Sequence, residues 1–321
     1  MGVVRFLVKR VVSIIITTAA IIAVGYSLMR LAPGSYFSST TIGSQMGQLA
    51  VQNPRLAEQY EHMFEARYGL NEPMWKQIFG YIWHLFTFNF GNSFENPSAP
   101  IITQLRSAFP ISFELAFGAV LLAVLVGIPL GVLAALKRNT WIDQMLTTLS
   151  LMGNAVPSFV LAVFMVLLFG VWWQGVLPIN GWGQWQDAVL PIIALGLGNV
   201  GSITRYMRSS LIEALRQDHI RTAEAKGVKY WPIIFKHAMR NSMTALITVV
   251  GPMFAFSVVN TIFVEQIFSI PGMGSLMAPA FQADDYPLAM AEIYILCLLV
   301  MVMNLLVDLG YAVFDPRVKL E

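Results

Sequence analysis

Charged residues inside the apolar segments are the first candidates for chemistry, because a charge within a membrane usually serves the transfer of an ion or a proton. Glu114, Glu265 and Glu292 lie near one end of their apolar segments, and Asp308 lies near the opposite end of its segment. No carboxylate is therefore deep enough to act as a proton relay, which disfavours an ion-coupled carrier.

The motifs of an enzyme or of an ATP-hydrolysing protein are absent from the sequence. No Gly-Lys pair occurs, which excludes the phosphate-binding loop G-x-x-x-x-G-K-[ST], and neither G-x-S-x-G nor H-E-x-x-H is found. Cys297 is the single cysteine, and neither His62 nor His84 has another Cys or His at ligand spacing. We therefore predict no catalytic residue, no metal site and no cofactor in this chain, so the energy for any pumping would come from a partner.

The chain as a whole is strongly apolar. Of 321 residues, 56% are hydrophobic and 12% are charged, whereas a soluble domain has about 25% charged residues. The net charge is +2, which fits neither a disordered chain nor a nucleic-acid-binding protein. The composition predicts an integral membrane protein that contacts the lipid bilayer and not nucleic acid.

Six apolar segments are long enough to cross a hydrocarbon core of about 30 Å. They cover residues 11–28, 115–136, 156–173, 188–204, 243–264 and 288–311. We predict that the third is the apolar part of one long, kinked helix that starts near Gln144, and that Pro33 and Gly34 close the first. The first segment also resembles a secretory signal, but its apolar core exceeds the usual length of about 7–15 residues and no small-x-small site follows, which favours a retained span.

Small residues recur at four-residue spacing within the predicted spans, at Gly127 and Gly131 and again at Ala194, Gly198 and Ser202. Such spacing lets helix backbones approach closely. Helix packing explains these residues at least as well as the lining of a transport path. Helix-breaking prolines also stand in the spans, at Pro129, Pro157, Pro191 and Pro252.

Basic residues indicate the orientation of the spans. Fifteen of the 20 Lys and Arg residues lie in segments 1–10, 137–143, 205–241 and 312–321, so the positive-inside rule places these segments and both termini in the cytoplasm. The predicted organisation is an N-terminal end with the first span (1–32), a long outer segment (33–110), a core of spans two to six (111–311) that contains the cytoplasmic loop 207–241, and a cytoplasmic tail (312–321).

Two helices are predicted in the outer segment. Pro54 opens the first helix, and Gly69 ends it in the left-handed conformation. The second helix starts near Pro73 and carries an apolar, aromatic stripe formed by Trp75, Ile78, Phe79, Ile82, Trp83 and Phe86. Such a stripe suits the bilayer surface or neighbouring spans, and packing at the outer mouth of the bundle is favoured over a binding site.

The cytoplasmic loop 207–241 is the predicted attachment point of a partner. Asp218 is placed to cap a short helix that runs to Ala225, and Gly227 supplies the left-handed conformation that ends this helix. Trp231 and Pro232 start another helix that leads towards the fifth span. A helix, a glycine turn and a second helix between two spans form a compact knob that projects into the cytoplasm.

The stretch Arg221-Thr222-Ala223-Glu224-Ala225-Lys226-Gly227, followed by residues 233–239, resembles the EAA loop of ABC-importer permeases in its peptide-transporter form. Ala223 and Gly227 match the small residue and the glycine of that loop. Arg221 stands where other branches have Glu, as is common in this branch, and Asn241 stands where peptide permeases usually have Pro. The resemblance implies that the stretch forms the coupling helix that docks on the ATP-hydrolysing subunit.

Further motifs extend the resemblance, in the same order, over nearly the whole chain. They are RLAPG (30–34), YGLNEP (68–73), FGNSF (90–94), VEQIFSIPGMG (264–274), DYP (285–287) and DPR (315–317), which look like the B-type permease of oligopeptide and dipeptide importers. The resemblance implies an all-α polytopic protein of the bacterial inner membrane, with six transmembrane helices in the type I ABC-importer permease fold. It also implies half of a path for a peptide substrate, without an enzyme activity of its own.

The implied partners are a second permease of the C type, which makes a heterodimer, two ABC ATPase subunits that bind ATP and Mg, and an extracytoplasmic peptide-binding protein. The alternatives are an ion-coupled secondary transporter, which would need no ATPase, a membrane scaffold, which would move nothing, and an ABC importer for a non-peptide solute such as a nickel chelate. No constellation of side chains for a peptide terminus is found, so the substrate-binding residues are left unassigned.

Overall fold

The computed structural model describes residues 2–31, 48, 51–96 and 98–314. The predicted closure of the first span at Pro33 and Gly34 and the motif at 315–317 in the tail lie outside the described residues. Within the described ranges the chain is helical, and its only β-type pairing is an isolated bridge between Asn92 and Pro100.

Twelve α-helices in these ranges carry the fold. They are α1 (Gly2–Leu31), α2 (Pro54–Tyr68), α3 (Met74–Phe86), α4 (Ile101–Leu136), α5 (Trp141–Ala155), α6 (Ser158–Leu167), α7 (Trp185–Ala214), α8 (Asp218–Ala225), α9 (Tyr230–Pro232), α10 (Met239–Phe268), α11 (Met273–Gln282) and α12 (Tyr286–Phe314). Two wider π-helical turns join them, Leu168–Trp172 after α6 and Ile233–Ala238 before α10.

Five of these helices contain stretches long and apolar enough to span a membrane, namely Arg5–Leu31, Ile101–Leu136, Trp185–Ala214, Thr248–Phe268 and Tyr286–Gly310. Helix α5, together with α6 and its π-helical turn, makes a sixth candidate span when the pair, which bends by 93° at the break, is counted as one. The all-α, polytopic architecture with six spans is therefore confirmed, with the third span broken.

The prediction of one long, kinked helix from Gln144 was wrong at this break. Val156 has φ −90° and ψ 121°, an extended conformation, and α6 begins only after Pro157. Proline lacks the N–H that an α-helix needs and pushes the preceding residue out of the helical region. The sequence indicates the position of the break, but its angle is set by what the two helices pack against.

The helices also extend beyond the apolar segments from which they were predicted. Helix α4 begins at Ile101 instead of residue 115, and α7 covers Trp185–Ala214 instead of 188–204. Polar residues such as Gln104, Arg106 and Arg208 interrupt the apolar character of these extensions, but a helix continues wherever its backbone bonds are made, whether or not lipid surrounds it.

The chain divides into two compact units, one built mainly from residues 3–110 and 272–299 and the other mainly from 111–271 and 300–321. In the first unit, α2 begins at Pro54 and ends at Gly69 (φ +68°), as predicted. The Tyr26 hydroxyl donates to Gln77 Oε1 at 2.5 Å, which ties α3 to α1. On the side of α3 away from the buried Leu85, Trp75, Phe79 and Trp83 are exposed.

A buried carboxylate organises the end of the outer segment in the first unit. Asp285 accepts hydrogen bonds from the Ser93 hydroxyl, from the Phe94 N–H at 3.1 Å and from the Leu288 N–H at 3.3 Å. The last of these caps the N-terminus of α12. The FGNSF and DYP motifs, separated by 191 residues between Phe94 and Asp285, are therefore joined through one side chain.

Close backbone contacts define the second unit. A Cβ at Gly131 would meet the Thr204 carbonyl oxygen at 2.6 Å, and one at Gly201 would fall on the Ser150 carbonyl oxygen. Helix α7 thus touches α4 and α5 without intervening side chains, and the predicted close approach at Gly131 is confirmed. A cluster of buried apolar residues from α4, α6, α7 and α10 fills the space around α7: Leu115, Ala119, Ala162, Leu190, Ala194, Leu195, Val264 and Phe268.

Two acidic residues of the spans lie near helix ends, as predicted, whereas Glu114 lies well inside α4, because α4 begins before its apolar segment. Glu265 stands in the last turn of α10 and Glu292 in the second turn of α12, and both side chains are fully buried. Glu114 is exposed on α4.

Candidate coupling site

Helix α8 forms the first part of the predicted knob between α7 and α10. Gln217, with φ −72° and ψ 151°, precedes the helix, and Asp218 is its first residue. The prediction that Asp218 caps the helix was therefore wrong by one position, and no side chain makes a capping hydrogen bond here. The Asp218 carboxylate still lies in the first turn, where the helix dipole favours a negative charge.

Ile220 is the one fully buried side chain of α8, and it packs against the rest of the second unit. Ile220 is 1% exposed, and it belongs to a buried apolar cluster with Val132, Ala135, Met207, Leu211, Ala214, Ile233 and Ala238. These residues come from α4, α7 and the π-helical turn before α10. The helix is therefore seated on a firm apolar base while its opposite face is left open.

The seven residues that resemble the EAA loop lie together on this helix and on the turn after it. Arg221, Thr222, Glu224, Ala225, Lys226 and Gly227 are exposed, and Ala223 is half-buried. Arg221 Nη1 lies 4.0 Å from Asp218 Oδ1, but both side chains are largely in solvent, so this ion pair contributes little. The structure thus presents the stretch as one continuous surface, and its contact with an ATPase stays a prediction.

Gly227 ends the helix in the predicted conformation. Its φ is +77°, its N–H donates to the Glu224 carbonyl at 2.9 Å, and the Val228 N–H donates to the Ala223 carbonyl at 3.2 Å. A Cβ at Gly227 would meet nothing within 4 Å. Glycine is therefore favoured here by its backbone conformation and not by lack of space.

The second part of the knob is a helix that leads towards the fifth span, as predicted, and it joins that span without a break. Helix α9 starts at Tyr230, within one residue of the predicted start, but the chain then stays helical through the π-helical turn Ile233–Ala238 into α10. The knob is therefore one short helix plus the extension of a span, and Asn241 lies inside that extension. Its Nδ2 is 3.3 Å from His219 Nε2, a direct contact between α8 and α10.

The side chains of this extension divide into two faces. Ile233, Ile234 and Ala238 are buried, whereas Tyr230, Trp231 and Phe235 are exposed. The rings of Trp231 and Phe235 stack with their centroids 5.7 Å apart. The exposed aromatic face adjoins Gly227 in the chain, so it extends the open surface of α8.

An ion pair between a buried carboxylate, Asp143, and a partly exposed guanidinium, Arg208, braces the helix that leads into α8. Arg208 Nε donates to Asp143 Oδ1 at 2.5 Å and Arg208 Nη2 donates to Asp143 Oδ2 at 2.7 Å, a two-point contact between α7 and α5. The Asn139 N–H also donates to Asp143 Oδ2 at 2.9 Å, and only 4% of the Asp143 side chain is exposed.

The sequence patterns do not predict this pair, because Arg208 is one of many basic residues in the segment 205–241. The signal that was available is a single acidic residue, Asp143, in the otherwise basic segment 137–143. A carboxylate in such a segment, at the start of an apolar helix, indicates a specific cationic partner.

Among the described residues, no group of three or more His, Cys, Asp or Glu side chains is placed to hold a metal ion. In the described part of the second unit, the short helix α8 is exposed, it packs on a buried apolar cluster through Ile220, and the helix before it is bonded to α5 through Arg208 and Asp143.

The chain combines several membrane spans with an exposed helix, α8, between α7 and α10. This is the architecture of a membrane transport subunit. Residues 127–320 match the family model for the binding-protein-dependent transport system inner membrane component. The chain belongs to this family and is a multi-pass membrane protein that works with the other components of such a system.

Curated relatives match over nearly their whole length. The chain is 34% identical to the dipeptide transport system permease protein DppB of Lactococcus lactis, over 99% of this chain and 100% of the relative. It is 36% identical to DppB of Bacillus subtilis, over 99% and 98% of the two chains. It is also 36% identical to the oligopeptide transport system permease protein OppB of Haemophilus influenzae, over 98% and 99%.

A solved structure supports the fold. An inward-facing structure of the MetNI methionine ABC transporter aligns with a TM-score of 0.54 and 16% sequence identity, covering 69% of this chain and 100% of that chain. The chain therefore has the fold of an ABC-transporter permease, as predicted from the sequence.

Proposed function

We propose that this chain is a permease subunit of an ATP-driven ABC importer for peptides and forms half of the translocation path. The observation that carries the proposal is the exposed α8, which holds the whole EAA-like stretch on an apolar base. Its support on the substrate side is the similarity, over 98–99% of the chain, to permeases named for dipeptide and oligopeptide transport.

The proposed assembly contains a second, C-type permease, two ABC ATPase subunits that bind ATP and Mg, and an extracytoplasmic peptide-binding protein. Both termini and α8 are on the cytoplasmic side, in line with the basic residues of segments 1–10 and 205–241. The chain itself has no catalytic role in this proposal, since ATP hydrolysis takes place on the partner subunits.

Transport would proceed by rigid movement of the helices that carry α8. Closure of the two ATPase subunits pushes on Arg221–Gly227, and Ile220 passes the displacement to the apolar base. Helix α7 moves with α5, because Arg208 and Asp143 are bonded at two points. Movement of packed helices around a fixed path is the usual form of alternating access.

The experiment is uptake of labelled peptides by the assembled complex, reconstituted in liposomes with its binding protein and ATP. We expect uptake to need ATP and to be abolished in Gly227→Leu, because a side chain at φ +77° distorts the docking turn. Gly175→Leu is the matched control, since Gly175 has φ +79° and equally open surroundings. Peptide uptake by Gly227→Leu at the level of Gly175→Leu would refute the coupling role.

The same experiment addresses the alternatives. An ion-coupled carrier would continue to transport without ATPase subunits and would stop on addition of an ionophore. An importer for another solute, such as a nickel chelate, would show ATP hydrolysis that responds to that solute and not to peptides. A scaffold would show no uptake at all.

A further inference from the structure

A cavity of about 310 Å³ lies in the second unit, where the broken third span meets α7 and α10. Its polar lining comes from Asn154 and Ser158 on the two sides of the break, from Asn199 on α7 and from Asn260 on α10. Phe159 and Phe263 also line it, with their ring centroids 6.0 Å apart. Acidic and basic side chains are absent from the described lining.

This cavity is at the level of the middle of the spans. Asn199 is the fifteenth of the 30 residues of α7, so about 21 Å of helix precede it and a similar length follows. Asn260 lies in the middle third of the apolar stretch Thr248–Phe268. In secondary transporters, breaks in spanning helices near the midplane are places where substrates bind, and the broken third span offers a comparable feature here.

The amide groups of the cavity have free hydrogen-bonding capacity. Asn199 Nδ2 donates to Ser257 Oγ at 2.9 Å, and this bond links α7 to α10. The side chains of Asn154, Ser158 and Asn260 make no hydrogen bond to another described residue, and the two asparagines are exposed. An amide that faces hydrocarbon without a partner costs about 4–8 kcal/mol. Exposure of these side chains to lipid would therefore be costly, which favours polar surroundings at the cavity.

We propose that this cavity is a passage site where the translocated peptide is held by its backbone, an assignment that rests on the proposed function. An asparagine amide offers both a donor and an acceptor, which is the complement of a peptide group. The Ser158 hydroxyl does the same, and the two phenylalanine rings accept apolar side chains. Recognition of this kind does not depend on the sequence of the peptide.

The absence of charge among the lining residues agrees with passage. A fixed Lys, Arg, Asp or Glu would bind one peptide terminus and hold the peptide at this point. A site along a path must bind weakly enough to release what enters it. Neutral amides and aromatic rings meet this requirement for peptides of different length and charge.

The test is photo-crosslinking in the assembled complex in liposomes. Phe263 is replaced by p-benzoylphenylalanine, and a radiolabelled peptide is supplied on the binding protein with ATP. Phe256 receives the same substitution as the control, because it is exposed on α10 but does not line the cavity. We expect peptide adducts at Phe263 during ATP turnover, at least about tenfold above those at Phe256. Adducts only to another protein at Phe263, or equal peptide adducts at both positions, would overturn the proposal.

A second measurement tests the hydrogen bonds. Asn260→Leu keeps the size of the side chain but removes its donor and acceptor, whereas Asn260→Gln retains both. We expect uptake to fall about tenfold in Asn260→Leu, in line with one lost hydrogen bond, and to recover in Asn260→Gln. Asn304→Leu, the same substitution in a span outside the cavity lining, controls for a general effect on the protein.

The outcomes separate the two proposals. If the unmodified complex takes up no peptide, the proposed function fails. If the unmodified complex takes up peptides and Asn260→Leu does so at the same rate, the function stands and the passage site is refuted.

Discussion

Arg208→Met tests how strongly the brace between α5 and α7 holds the second unit together. The substitution keeps an unbranched side chain of similar length but leaves the Asp143 carboxylate, which is only 4% exposed, without its cationic partner. Loss of one partner from a buried ion pair usually costs about 3–5 kcal/mol. We expect a loss near the lower end of this range, because the Asn139 N–H at 2.9 Å and the Thr147 hydroxyl at 3.4 Å still donate to the carboxylate.

The double variant Arg208→Met with Asp143→Leu separates the pair from its isolated charge. When both charges are removed, the desolvation cost of the carboxylate disappears as well, and such replacements are often neutral for stability. We therefore expect the double variant to recover most of the stability lost in the single variant. The recovery would identify the uncompensated charge, and not a loss of packing, as the cause of the defect.

The assay is reversible unfolding of the purified protein in mixed detergent and SDS micelles, with helical content as the signal. Arg216→Met is the matched control, because Arg216 is exposed beyond the end of α7, and we expect it to change stability by less than about 0.5 kcal/mol. If Arg208→Met unfolds with the same free energy as Arg216→Met, the pair does not brace the unit and the reasoning is wrong.

Three further predictions concern other contacts. Asp285→Asn should lower stability by about 1–3 kcal/mol in the same assay. The substitution replaces one carboxylate oxygen, which accepts hydrogen bonds, by an NH2 group that would face the Ser93, Phe94 and Leu288 donors. An unchanged unfolding midpoint would contradict this prediction. Gly201→Ala should destabilise by about 1–3 kcal/mol, and Gly198→Ala by much less, since an added Cβ has room only at Gly198. If the aromatic stripe of α3 contacts lipid, a spin label at Phe79 on a cysteine-free background should be more accessible to oxygen, and one at Gly80 more accessible to a water-soluble relaxant. The reverse order of accessibilities would exclude contact of the stripe with lipid.

Local features of the fold were predictable because their causes lie within a few residues. Pro54 starts α2, and Gly69 and Gly227 end α2 and the α8 turn, because each of these residues has a conformational preference of its own. The positions of the spans followed from runs of apolar residues. The predicted cap of α8 was wrong by one residue: Gln217 precedes the helix, and Asp218 is its first residue. The sequence pattern does not distinguish between these two adjacent positions.

Contacts between distant parts of the chain were beyond the sequence patterns. The pair of Asp143 and Arg208 joins residues 65 positions apart, and no spacing rule connects them. The 93° bend at Pro157 depends on how α6 packs against α7 and α10. The polar residues Asn154, Asn199 and Asn260 are scattered in the sequence, and only the bend and the packing of the helices bring them around one cavity.

The two chain connections of α8 differ in a way that bears on how force would leave it. On one side, residues 215–217 lead directly into α7, which is in backbone contact with α4 and α5 through Gly131 and Gly201 and is bonded to α5 through Arg208. On the other side, the π-helical turn Ile233–Ala238 interrupts the regular helix before α10. Wider turns of this kind are less regular and often occur at functional sites. If α8 is the coupling helix that we propose, we expect a push on it to be transmitted mainly through α7, while the less regular connection to α10 adjusts its geometry.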